Sequence, residues 1–208
     1  NFATLIGHGN LRGSIVGYEN RKPTAEEMER MKTLLREAMK GGGFGLSSGL
    51  IYPPGVYSET DELIELAKVV KEFGGIYASH MRSEGDKLLE AISEAIRIGE
   101  EGEIPVQISH LKTGGERNWH KLEEAFELIE AARDRGIDVT ADRYPYTASS
   151  TDLDAILPSW AYEGGVDAEL DRLSDPDTRD RLKNEILTQH PKDDYWETVM
   201  VAAVDTEK

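Results

Sequence analysis

The sequence predicts an α/β fold built from successive parallel strand–helix units. Two observations carry that expectation. Short apolar segments alternate with long stretches whose apolar residues recur at helical spacing, and each strand-plus-helix unit occupies about thirty residues, the length of a βα unit. A helix between two strands lets them run parallel, and such crossovers are overwhelmingly right-handed.

Taken in order, Thr4 to His8 reads as the first strand. Thr24 followed by Glu27 is a capping box, in which each side chain satisfies a backbone N–H of the first turn. It opens a helix to about Lys40, with Met28, Met31, Leu34, Leu35 and Met39 at helical spacing. Gly41 to Gly43 ends that helix, and Phe44 to Ser48 is the second strand. A Pro- and Gly-rich loop at Tyr52 to Gly55 leads to a helix from Thr60 to Glu72, closed by Gly74 and Gly75. The strand Ile76 to His80, the helix Glu84 to Ile98 and the strand Pro105 to His110 follow. A helix from Leu122 to Arg135, stopped by Gly136, and a strand from Ile137 to Ala141 complete the series.

Five strands in this rhythm suit either a doubly wound sheet or most of a (β/α)8 barrel. A full barrel needs about 250 residues, so the 208 residues allow only a partial one. From Asp152 to Asp194 the rhythm breaks into a polar, helical stretch interrupted by Pro176. Residues 1–150 are thus expected to form central βα units, 151–195 a lid-like helical insertion, and 196–208 the start of a further strand. Asn1 to Ile6 reads as strand with no methionine before it, and a strand pattern from Glu197 to Val204 leaves only four residues. Both ends therefore read as the interior of a larger domain.

Composition narrows the function. Lys and Arg total 24 against 40 Asp and Glu, a net charge of -16. Such a surface repels nucleic acid and anionic membranes. No apolar run approaches the ~20 residues that span a bilayer, and no basic region marks a signal peptide at the start. With no cysteine, the chain forms neither a disulfide nor a thiolate metal site, which fits a cytoplasmic protein.

His80 and His110 are the informative pair, each the last residue of an expected strand and one βα unit apart. Consecutive parallel strands lie ~4.8 Å apart, so both imidazoles would stand together at the carboxyl ends of the strands, where barrel active sites sit. Two neutral imidazoles can bind one zinc at ~2.0–2.1 Å each. The competing reading is a pair of hydrogen-bonded strand-end histidines, and the strands offer no evident third ligand. His8, flanked by glycines, reads as a structural histidine in a tight turn; His120 and His190 read as solvated or capping residues.

Lys112 at the rim suits a carboxylate clamp, although the residues alone favour a solvated lysine. Tyr144 to Ser150 and the Leu46 to Tyr52 segment offer hydroxyls that could bind a polar substrate or could simply pack their turns. There is no phosphate loop of the Gly-Lys-Ser/Thr type and no Gly-x-Ser-x-Gly nucleophile elbow.

Five segments then give a resemblance. They are Gly7-His8-Gly9-Asn10-Leu11-Arg12, Gly45 to Gly55, Tyr77-Ala78-Ser79-His80-Met81-Arg82-Ser83-Glu84, Ile108-Ser109-His110-Leu111-Lys112, and Asp142 to Ser149. In this order the chain resembles the N-acyl-D-amino-acid deacylases (the D-aminoacylase group) of the amidohydrolase superfamily, over roughly residues 1–165. The resemblance implies zinc held by His80 and His110 on the fifth and sixth barrel strands. It implies Lys112 at the substrate's α-carboxylate, with Tyr52, Tyr144 and Ser150 as further substrate contacts, and a lid after Ser150. The implied reaction is hydrolysis of an N-acyl-D-amino acid, a small-molecule substrate.

Several family features are missing from the 208 residues: the paired His-x-His, the metal-binding cysteine and the β-sandwich. The family's catalytic Asp, the general base, is expected outside this chain. Two other readings therefore stand beside the first. One is a non-catalytic folded domain that self-associates through open sheet edges; the other is a related cyclic-amide hydrolase of the dihydroorotase or hydantoinase kind.

Overall fold

A computed structural model describes residues 2–190 and 193–203. The chain divides into two compact units, Asn1–Tyr144 and Pro145–Lys208.

In the first unit, β1 (Leu5–Gly7), β2 (Gly45–Gly49), β3 (Ile76–His80), β4 (Val106–Ile108) and β5 (Val139–Ala141) form one sheet in sequential order, every neighbouring pair parallel. Between them run α1 (His8–Ile15), α2 (Ala25–Lys40), α3 (Thr60–Lys71), α4 (Leu88–Gly102) and α5 (Leu122–Asp134), each packed on the next. A doubly wound sheet reverses its strand order at a switch point. This sheet does not, so it is the barrel-type alternative that forms, with five of the eight strands of a closed barrel.

The elements follow from local chemistry plus burial. Thr24 caps α2 as a full capping box: its hydroxyl accepts from the Glu27 N–H at 3.2 Å, and the Glu27 carboxylate accepts from the Thr24 N–H at 2.7 Å. Met31, Leu35 and Met39 of that helix are buried. On α4, Leu88, Ile92, Ala95 and Ile96 recur at helical spacing and enter the core. Gly99 lets α4 lie directly on the sheet, because a Cβ there would fall 2.1 Å from Val106 Cγ2.

Several expected boundaries shift. Residues Glu84 to Lys87 lie outside α4, and β4 stops at Ile108, two residues short of His110. His8 does not end a strand in a tight turn but begins α1, a helix that its glycines hid from the sequence pattern. Gly costs ~1 kcal/mol in a helix, and here burial offsets it: His8 and Arg12 are fully buried and Leu11 nearly so. The His8 ring contacts Glu62 Oε1 of α3 at 2.7 Å, and Arg12 Nη1 donates to Glu62 Oε2 at 2.5 Å. The same guanidinium donates to the Arg21 carbonyl at 2.6 Å. Burial pushes the Glu62 carboxyl up, but His8 and Arg12 outweigh it and hold its pKa below the usual value.

The second unit carries α6 (Val166–Ser174) and α7 (Pro176–Gln189), preceded by 3-10 turns at Leu153–Ile156 and Ser159–Tyr162. Asp175 caps α7, accepting from the Thr178 N–H at 2.8 Å, and Pro176 takes the first helical position. Trp160 Nε1 donates to Glu185 at 2.8 Å while Arg181 lies over the indole ring at 3.8 Å. The strand expected over Glu197 to Val204 does not form in the described part: Asp193–Thr198 is a 3-10 helix and 199–203 has no regular structure. The segment closes on local hydrogen bonds instead, the Val199 N–H donating to the Trp196 carbonyl at 3.2 Å and the Thr198 hydroxyl to the Tyr195 carbonyl at 2.6 Å. Val204, the last residue of that expectation, lies outside the described residues. Among the described residues, no helix is long and apolar enough to cross a membrane.

Candidate metal centre

The pairing of β3 with β4 sets Ser79 opposite Ile108, so the residues that follow both strands emerge side by side. His80 ends β3, and His110 follows β4 in a left-handed conformation with φ 42°. Such a backbone costs a non-glycine residue about 1–3 kcal/mol and persists where its surroundings over-determine it. Here they do: the His110 N–H donates to Asp142 Oδ1 at 2.6 Å, and Gln107 Nε2 holds the other carboxylate oxygen at 2.8 Å.

The turn aims the two rings at each other. Their centroids are 4.5 Å apart and nearly perpendicular, with His80 Nδ1 2.9 Å from His110 Nε2. On the far side of the second ring, His110 Nδ1 lies 2.7 Å from Glu84 Oε1. One potential ligand atom from each of His80, Glu84 and His110 falls within 4.8 Å of the others, the one such three-residue group among the described residues. Lys112 Nζ donates to the same Glu84 oxygen and lies 3.0 Å from His110 Nδ1. Its side chain is only 14% exposed, so the solvated lysine favoured by the residues alone is not what the fold makes. Desolvation overrides that reading, since a shielded ammonium keeps its charge by pairing.

Aromatic rings border the pair. The Tyr52 ring lies 5.1 Å from His80, and the Tyr144 ring 6.3 Å from His110 with Lys112 Nζ 5.4 Å from its centre. Gly49 leaves room for the first, because a Cβ there would meet Tyr52 Cδ2 at 3.0 Å. Arg82 fastens the Tyr52 loop, donating to the carbonyls of Val56 and Ser58 at 3.1 and 3.0 Å while paired with Glu94. Ser48, among the hydroxyls considered for substrate, is instead buried against the Tyr77 phenol at 2.6 Å. Ser150 belongs to the second unit.

Burial lowers the pKa of His80; Glu84 opposes that shift, and the charges of His110 and Lys112 reinforce it. The shift favours the neutral ring, the state in which an imidazole nitrogen offers a lone pair to a metal. His80 Nε2 is buried without a hydrogen-bond partner, so this ring is not fully satisfied by the protein. Two neutral imidazoles whose nitrogens face each other suit zinc, and the pair as folded, with Glu84 behind the second ring, fits such an ion. Glu84 is the member that sequence reasoning missed. It sits only four residues after His80, but in a loop whose path no periodicity reveals.

The chain is 44% identical over 153 residues to a D-aminoacylase of Alcaligenes xylosoxydans xylosoxydans, a match covering 74% of this chain and 31% of that protein. The N-acyl-D-glutamate deacylase of Bordetella bronchiseptica, solved with zinc and a phosphonate mimic of the tetrahedral intermediate, superposes with a TM-score of 0.68 at 36% identity. That superposition covers 70% of this chain and 31% of the other. A D-aminoacylase structure concerned with a binuclear metal centre gives 0.71 at 39% identity, covering 76% and 34%. The chain thus spans about a third of the length of the relatives it matches. No family model matches it.

Proposed function

Since this chain is homologous to a segment of the N-acyl-D-amino-acid deacylases of the amidohydrolase superfamily, we propose that it contributes to zinc-dependent hydrolysis of N-acyl-D-amino acids within a larger barrel. The observation that carries the reading is the convergence of His80 and His110, nitrogen to nitrogen at 2.9 Å, beside Glu84. In this reading His80 and His110 would hold the zinc. Zinc, when bound, supplies Lewis acidity toward the amide carbonyl and the attacking water.

The other roles belong to the chain's own side chains. Lys112 meets the α-carboxylate as a compact cation, and the Tyr52 and Tyr144 rings on either side of the histidines restrict how the substrate lies. Ser150 is assigned to substrate contact by the family resemblance, and the helical stretch 151–195 to a lid by that resemblance together with its polar composition. The general base is expected from an Asp outside these residues. The net charge of -16 and the lack of cysteine support a cytoplasmic protein with no nucleic-acid or membrane partner. The outer strands β1 and β5 are the edges through which copies would associate.

The test is hydrolysis of matched N-acyl-D- and N-acyl-L-amino acids with and without zinc. Metal-dependent release of the D-amino acid alone supports the proposal; hydrolysis indifferent to a chelator removes it. A second reading, a metal-binding domain without turnover, draws on the state of Glu84. That carboxylate is committed to His110 and Lys112 rather than poised to take a proton. Bound zinc without hydrolysis would select it.

A further inference from the structure

We propose that Glu84 is a positioning residue, shared between the metal centre and the substrate clamp, rather than a third metal ligand. The inference rests on the functional reading above. His110 turns its Nε2 toward His80 Nδ1, so its Nδ1 is the nitrogen left over, and that nitrogen meets Glu84 Oε1 at 2.7 Å. A ligating histidine characteristically donates its second N–H to a carboxylate, which fixes the tautomer and the ring orientation.

The same oxygen accepts from Lys112 Nζ. Lys112 also lies 3.0 Å from His110 Nδ1, a contact that would call for the opposite tautomer. The carboxylate decides between them, because it lies closer to both donors than they lie to each other and accepts a hydrogen bond from each. One carboxylate therefore sets the lone pair of His110 toward His80 and holds the ammonium beside the same ring.

The backbone supports this placement. The Gly114 N–H donates to the Glu84 carbonyl at 2.6 Å, tying the loop after β3 to the loop after β4. A Cβ on Gly114 would crowd that carbonyl at 3.1 Å, so glycine is what permits the tie. Glu84 is thus anchored to the strand loop that carries His110 and Lys112.

The experiment uses the full chain, with Glu84→Gln, which keeps the side-chain volume, and Lys112→Met beside wild type. Long-range proton–nitrogen correlation spectra of the metal-free protein, at a pH where both rings are neutral, report the His110 tautomer. Zinc affinity is read by competition with a chromophoric chelator, and the visible absorption of the cobalt-loaded protein reports its ligand set. The expected result is an Nδ1–H tautomer in wild type and Lys112→Met that loses its dominance in Glu84→Gln. Zinc affinity should then fall about 10–100-fold in Glu84→Gln, with the cobalt band positions unchanged. An unaltered tautomer with unaltered affinity would overturn the proposal, and so would a shifted cobalt spectrum, which would make Glu84 a ligand. Failure of wild type to bind zinc would remove the metal reading alone, since the tautomer is measured without metal and still decides the role of Glu84.

Discussion

Glu62→Gln tests the buried charges that hold α1 to α3. The substitution keeps the volume of the side chain and removes its charge. Arg12 is fully buried and its guanidinium meets the Glu62 carboxylate at 2.5 Å, so the variant leaves a cation in the interior without its counter-ion. Breaking a buried pair in this way costs about 3–5 kcal/mol. The lower end applies, because the Arg21 carbonyl still accepts from Arg12 at 2.6 Å. Against a total stability of about 5–15 kcal/mol, that is a large fraction. Urea denaturation followed by circular dichroism reads it as an earlier midpoint. Replacing both partners together, Arg12→Met with Glu62→Leu, should recover most of the loss, since two apolar side chains leave no orphaned charge. A single-variant loss below about 1 kcal/mol, or a double variant worse than the single one, would refute the reasoning.

The same carboxyl gives an acid prediction. Its pKa is held below the usual value of 4.5, so its contribution is present above that pH and is lost as pH falls through the folded value. Wild type should lose stability in that acid window more steeply than Glu62→Gln. Tyr77 acts at the other extreme: burial pushes its phenol up to about 12 against the Ser48 hydrogen bond. A raised pKa means stability present below pH 10 and lost as pH rises toward 12; Tyr77→Phe should flatten that alkaline slope in a denaturation series. Gly99→Ala forces a Cβ to 2.1 Å from Val106 Cγ2, and should cost about 1–3 kcal/mol by overpacking. Thr24→Ala removes the hydroxyl half of the capping box while its backbone N–H still donates to Glu27, and should cost about 1 kcal/mol, read by the same urea titration.

What was legible in the sequence was what neighbouring residues decide among themselves. The capping box at Thr24 and Glu27 needs only three residues of separation, and the strand ends at His80 and near His110 follow from alternation and the length of a βα unit. What was hidden depends on distant partners. Helix α1 contains Gly9 and Gly13 and is held by Glu62, some fifty residues away. The left-handed turn at His110 exists because Asp142, from beyond β5, holds its N–H. Glu84 joins the site through a loop, where no period marks which way a side chain points. Lys112 looked like surface because sequence alone does not reveal how far a neighbouring loop buries it.

The most direct measurement is zinc content by elemental analysis of the purified chain, wild type beside His80→Ala and His110→Ala. The metal reading expects about one zinc per chain in wild type, lost in either variant. Wild type without zinc, or zinc retained in both variants, would contradict it and leave the two histidines as a hydrogen-bonded pair at the ends of adjacent strands.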